Sequence, residues 1–298
     1  LFAPQTTWIQ RRDGDLAYQR FGHGALEVVV VWDWISNLEQ LWQSPRVATF
    51  FRHLASVARV TLFDRRGCGL SAGAVGPPSL DQQVTDILAI QDHAGIDRSV
   101  LFAMGDGCVP ALLLSATHSE RVRGLCLFGP GRCIARAMAD ATPAAEHETT
   151  LPGAHTHDAL LSHQLATIRS DWGGPLFIDT LAPSLAREAG YRRFWAAFLR
   201  LSASPSEAAA LFQHGAAQRI QPILSGVRVP TLILHRSDDR HRPAEESQQL
   251  VAHIRGAHLQ LLRGGANGRA HAGVVARLDG THPRLGVGIP GLVKTLQV

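Results

Sequence analysis

The chain alternates between short, densely apolar runs and longer stretches in which apolar residues recur every three or four positions. "DLAYQRFG" and "LEVVVVWDW" read as strands, with the turn "GHGA" between them. From about Pro45 to Ala58, Val47, Phe50, Phe51 and Leu54 fall at helical spacing. "ARVTLFDRRGCGLS" is an apolar strand running into a glycine turn. "LDQQVTDILAIQDHAG" is an amphipathic helix with Val84, Ile87, Leu88 and Ile90 on its apolar side, closed by Gly95. The strand "SVLFAM", a glycine turn, the helix "VPALLLSATH" and the strand "VRGLCLFGP" follow.

Strands apolar enough to be covered on both faces, separated by helices, predict an α/β fold with a mostly parallel sheet flanked by helices. From about Ala135 to Ser225 only helical patterns occur, among them "YRRFWAAFLRLSA" and "SEAAALFQHGAA". The alternation then resumes with "PTLILHRS", "EESQQLVAHI" and "HLQLLRG". The simplest architecture is a core in two parts, 1–134 and 226–298, with a helical cap inserted over 135–225. After Gly264 the chain becomes rich in Gly, Ala, Arg, His and Pro, so 264–298 reads as an atypical tail. An out-of-frame reading of a GC-rich gene is one account of it.

Composition narrows the function classes. The 298 residues are 45% hydrophobic, enough for a sizeable core, yet no apolar run reaches the ~18 residues of a membrane span. With no apolar signal segment at the start, the chain reads as soluble and cytoplasmic. Cys68, Cys108, Cys126 and Cys133 have no CxxC spacing, which argues against a disulfide framework or a zinc site; no metal or cofactor is expected. The net charge of +4 comes almost wholly from arginines scattered through the chain without a basic run, Lys294 being the only lysine, so nucleic acid is not an expected partner.

"RRDGDLAYQRFG", "SNLEQLWQSPRVATFFRHLASVARVTLFDRRGCGLS", "ATHSERVRGLCLFG" and "VRVPTLILHRSDDRHRP" together resemble the α/β-hydrolase fold superfamily. The resemblance is greatest to a bacterial capped branch that also occurs fused to cyclase or regulatory domains, and it spans about residues 12 to 264. It implies a serine nucleophile in a G-x-S-x-G turn between strand and helix, with the next N–H contributing to an oxyanion hole. In "LFAMGDGCVPALLLSATHSERV" that register puts Ala103 and Gly107 at the small-residue positions and Gly105 at the nucleophile. Glycine cannot form an acyl-enzyme. A shift of one residue makes Asp106 a carboxylate nucleophile, with Met104 and Cys108 at the flanking positions; alternatively Asp106 caps the helix N-terminus.

The same resemblance places the triad acid at Asp239, with Asp238 adjacent, and the triad histidine at Gly268, with His271 three residues further on. The loop after "EVVVV", which in such proteins carries a glycine, reads Trp32-Asp33-Trp34. An ionised Asp33 would repel a developing oxyanion, and two tryptophans with one acid suggest the lining of a binding pocket.

Three readings stand side by side. The first is an atypical α/β-hydrolase-fold protein without Ser and His, with a capped apolar pocket for a small molecule or peptide and non-hydrolytic isomerase-, lyase- or cyclase-like chemistry. The resemblance supplies a precedent in triad-less epimerases of peptide maturation. Asp33 and Asp106 are its acid-base candidates, with Asp239 next, because a carboxylate among aromatic rings can serve as a general acid or base. The second is a non-catalytic ligand-binding domain, fused to or associated with a regulatory domain. The third is a decayed or weakly active hydrolase relative.

Overall fold

The computed structural model describes residues 3–71, 76–130, 153–237, 239 and 244–262. Eight strands form one sheet in the order β1-β2-β4-β3-β5-β6-β7-β8. They are β1 (Thr6–Ile9), β2 (Leu16–Phe21), β3 (Glu27–Val31), β4 (Arg59–Phe63), β5 (Ser99–Met104), β6 (Val122–Phe128), β7 (Thr231–Arg236) and β8 (His258–Leu262). Strands β1 and β2 pair antiparallel with their neighbours, and from β4 to β8 every pairing is parallel. This is the mostly parallel α/β sheet that the alternation predicts. Strand β1 was not foreseen, being short and half polar.

Strand β3 shows how the two cores are divided. Val28 and Val30 pack on one face with Val47, Phe51 and Leu54 of helix α2 (Pro45–Val57), which follows the single-turn α1 (Leu38–Leu41). Val29 and Val31 pack on the other, with Val84 and Ile87 of α3 (Leu80–His93) and Val109 and Leu112 of α4 (Cys108–Thr117). A strand buried on both faces needs apolar residues at every position, hence the unbroken "VVVV". Ser44 before Pro45, and Ser79, supply side-chain oxygens to the first turns of α2 and α3.

Between β6 and β7 every described element is helical: α5 (Gly153–Asp171), α6 (Ile178–Leu181), α7 (Ala189–Ser202), α8 (Pro205–Ala217) and α9 (Gln221–Leu224). Helix α10 (Ala244–His253) then leads into β8. The expected boundary at 134/135 and the tail from 264 lie outside the described residues.

The turn after β4 is fixed by a buried carboxylate. Asp64 Oδ1 accepts from Leu38 N at 3.0 Å and Oδ2 from Leu70 N at 2.8 Å, so one side chain ties α1 to the glycine turn. Its neighbour Arg66 is also buried and grips Asp86 of α3 through two hydrogen bonds of 2.6 and 3.0 Å. Burial pushes the Asp64 carboxyl up to about 6 despite the N–H bonds from Leu70 and Leu38, which pull the other way. A raised folded-state pKa means that the native protein binds this proton more tightly than the unfolded chain. That contribution is whole below about pH 3.8 and is lost as pH rises through about 6. It amounts to an order of 3 kcal/mol. Urea denaturation of Asp64→Asn should therefore show lower stability at every pH but a flatter decline between pH ~4 and ~7 than the parent.

Candidate functional site

The C-terminal ends of β3, β5 and β7 converge at one place, as parallel sheets bring loops together beyond their carboxyl edge. Immediately after β3, Asp33 turns its side chain back toward the sheet. Its Oδ1 accepts from Trp34 N at 2.8 Å and from Asp106 N at 2.9 Å. Arg65, in the turn after β4, donates from Nη1 to the Asp33 backbone oxygen at 3.1 Å, holding the loop from the other side.

The partner of this arrangement is Gly105. It stands at the turn from β5 to α4 with φ +54°, in the left-handed region that favours glycine. A Cβ built there would lie no more than 2.5 Å from Cγ, Oδ1 and Oδ2 of Asp33. The Asp33 carboxylate therefore fills the space that any side chain at position 105 would need. Two residues on, a Cβ at Gly107 would meet the Val31 and Trp32 carbonyls at 2.5 and 2.3 Å, so glycine there lets α4 approach β3.

Above Asp33 opens a cavity of about 90 Å³. Trp32, Trp34, Met104, Phe128, Trp195 and Phe198 give it an aromatic and apolar wall; Asp33, Tyr191, Arg236 and Asp239 are its polar groups. Ile178, Leu181 and Ala182 add a wall from α6 and the turn after it, so helices between β6 and β7 share the pocket with Gly105. Burial pushes the Tyr191 hydroxyl up to about 12, keeping it a neutral phenol. Arg236 Nη1 donates to Leu181 O at 3.3 Å, and Asp239 N to Arg236 O at 3.3 Å.

Of the residues singled out in the sequence, Trp32, Asp33, Trp34, Met104, Gly105 and Asp239 come together here. Asp106 does not. Only 3% exposed, it lines a separate void of about 10 Å³ behind Trp34, with Arg65, His214 and Gln218. Cys108 is fully buried beneath the turn, its Sγ donating to Ala103 O at 3.4 Å. His271, Gly268, Asp238 and Cys133 lie outside the described residues. Burial pushes the Cys68 and Cys126 thiols up to about 12, which leaves them inert as nucleophiles near neutral pH. Among the described residues no three His, Cys, Asp or Glu side chains gather as a metal site.

Sequence reasoning missed Arg236, Tyr191, Trp195 and Phe198. Arg236 had a signal, three positions before Asp239 at the end of a predicted strand. The helix residues had none, because periodicity does not say which face meets the cavity.

A model of the alpha/beta hydrolase fold matches residues 28–266. The chain belongs to the α/β-hydrolase fold family. Among similar proteins, 3-oxoadipate enol-lactonase 2 of Acinetobacter baylyi is 22% identical over 84% of this chain and 86% of its own length. The enol-lactonase from Burkholderia xenovorans LB400 superposes with a TM-score of 0.62 at 21% identity, covering 86% of this chain and 91% of that one. The bromoperoxidase from Bacillus anthracis does so with a TM-score of 0.67 at 17% identity, covering 99% and 100%. At these identities the structural neighbours establish the fold. Gly105 stands at the turn between β5 and α4.

The fit between Asp33 and Gly105 makes a direct prediction. Gly105→Ala should destabilise the protein by about 3 kcal/mol or more, from overlap with the carboxylate plus left-handed strain. Asp33→Gly should relieve the overlap, so a double-mutant cycle in urea should return a coupling of at least ~1 kcal/mol. Additive effects would mean that the two positions are independent.

Proposed function

We propose that this α/β-hydrolase-fold protein binds a small apolar molecule or peptide side chain in the Asp33 pocket and performs proton transfer of isomerase or lyase type rather than acyl transfer. The observation that carries the reading is the Asp33 carboxylate, seated over Gly105 with its Oδ1 on the N–H groups of Trp34 and Asp106. Acyl transfer in this fold needs a side-chain nucleophile at the elbow. It also needs two free N–H donors, one after the nucleophile and one in the loop after β3. Here the elbow residue is glycine, and both N–H groups serve an internal carboxylate. The departures noticed separately in the sequence thus act as one substitution: the acid in the loop takes the room that the glycine leaves.

Under this reading Asp33 is the acid-base group on the pocket floor, held by its two donors, and Asp239 is a second carboxylate on the wall. Asp106 is assigned a structural role, since its side chain faces the void under α8 and only its N–H serves the site. Helices α6 and α7, which line the pocket, act as the cap. The likeness to the enol-lactonases supports a small molecule as the occupant of the pocket.

A second reading, binding without turnover, is favoured by the same hydrogen bonds, which anchor Asp33 as firmly as a structural carboxylate. One experiment separates the readings. p-Nitrophenyl butyrate and dihydrocoumarin should be hydrolysed no faster than in buffer, with no burst; steady turnover at ~1 per second or more would sink the proposal. Phenylacetone, an apolar carbon acid, should exchange its α-protons with deuterated water faster in the presence of the protein, as followed by proton NMR. Asp33→Asn should reduce that exchange by about a hundredfold, the scale of one general base. Binding of phenylacetone without any accelerated exchange would favour the receptor reading.

A further inference from the structure

The polarity of the elbow site is inverted relative to the chemistry its backbone was built for, and the inversion bears on which ligands the pocket takes. Two converging N–H groups form a positive spot suited to a carbonyl oxygen or an oxyanion. In this chain the spot is covered by the Asp33 side chain, so a carboxyl acceptor replaces two N–H donors at the pocket floor. Asp33 is half-buried and lines the cavity. A ligand that ends in a carboxylate or phosphate meets repulsion there; one that ends in N–H meets an acceptor.

The walls point the same way. Trp32, Trp34, Phe128, Tyr191, Trp195 and Phe198 surround the cavity, and faces of such rings attract cations. The rings are braced: Trp195 stacks on Phe198 at 5.3 Å between centroids, and Trp34 meets Phe212 edge-on at 5.1 Å. Trp195 Nε1 already donates to Leu176 O at 2.8 Å, so that indole offers the cavity carbon surface rather than a donor. Among the described lining residues two carboxylates stand against one guanidinium, that of Arg236, which also donates to Leu181 O.

Resting on the reading that Asp33 covers the elbow N–H groups, we infer that the pocket selects an apolar amine, with its ammonium on Asp33 and its hydrocarbon body among the aromatic rings.

Three isosteric probes test this on the unmodified protein: 2-phenylethylamine, 2-phenylethanol and phenylacetate, titrated calorimetrically at pH 7 and low salt. The amine should bind at least ~10-fold more tightly than the alcohol, and the acid more weakly than either, as a close charge pair plus cation–π contact would give. Asp33→Asn should cut the affinity for the amine by about tenfold and leave that for the alcohol within about twofold. Equal binding of the three probes, or tightest binding of phenylacetate through Arg236, overturns the inference. So does a preference for the amine that survives in Asp33→Asn. If that variant does not fold, as judged by its circular dichroism, the order of the three probes on the parent decides alone. Ester hydrolysis by the parent would strike the proposed function, whereas a wrong order of probes with no ester hydrolysis strikes only the ligand class.

Discussion

The site depends on a carboxylate held by two backbone N–H groups, one 73 positions further along the chain at the elbow and one on the next residue of the loop. Each donor sits at the end of a parallel strand or just beyond it, so neither can turn away without disturbing the sheet. A buried N–H left without an acceptor costs about 1–3 kcal/mol. Asp33 satisfies both with a single oxygen. That satisfaction requires Gly105, since the carboxylate occupies the volume of a missing side chain. The constraint runs in both directions: with a residue larger than glycine at 105 Asp33 has nowhere to go, and without Asp33 the turn leaves two donors facing the cavity.

The support beneath this pair is layered. Arg65 carries the Asp33 backbone oxygen on its guanidinium and reaches Gln83 of α3 with the same group, while its own N–H donates to Ser36 Oγ at 3.0 Å. One residue earlier, Asp64 fixes Leu38 and Leu70. The loop after β3 and the turn after β4 are thereby clamped together by neighbouring side chains of one motif, "FDRRGCGLS". A carboxylate on so fixed a backbone keeps its position when a ligand enters, which suits a group meant to act on that ligand or to select it.

Much of the fold was legible because its signals are local. Unbroken valines mark a strand covered on both faces, and helical spacing marks α2, α3, α7 and α8 to within a few residues. The polar, short β1 gave no such signal. The site was legible only in parts. Gly105 and Asp33 each stood out as a departure from the family pattern, but the sequence treats them as separate losses. Their mutual fit depends on β3 and β5 lying side by side, with Val31 opposite Ala103. Asp106 looked equally suitable as a reacting group. The left-handed turn at Gly105 directs its side chain under α8 instead, a consequence of one dihedral angle that no pattern of residue types encodes.

That dihedral also bears on how such a site can arise from a hydrolase. An elbow residue with φ +54° is strained unless it is glycine, and enzymes tolerate the strain for the reactivity it brings. Replacing the nucleophile by glycine removes activity and strain together, at a cost of roughly 1 kcal/mol in added chain entropy. The vacated volume would be a void beside two unsatisfied donors, which an acid arriving at position 33 fills and satisfies at once. The pair is therefore expected to be more stable than either change alone, and placing a hydroxyl at 105 means first moving the carboxylate. Under the proposed function, a pocket locked in this way is free to drift toward ligands that a carboxylate attracts, because any route to ester chemistry passes through a destabilised intermediate.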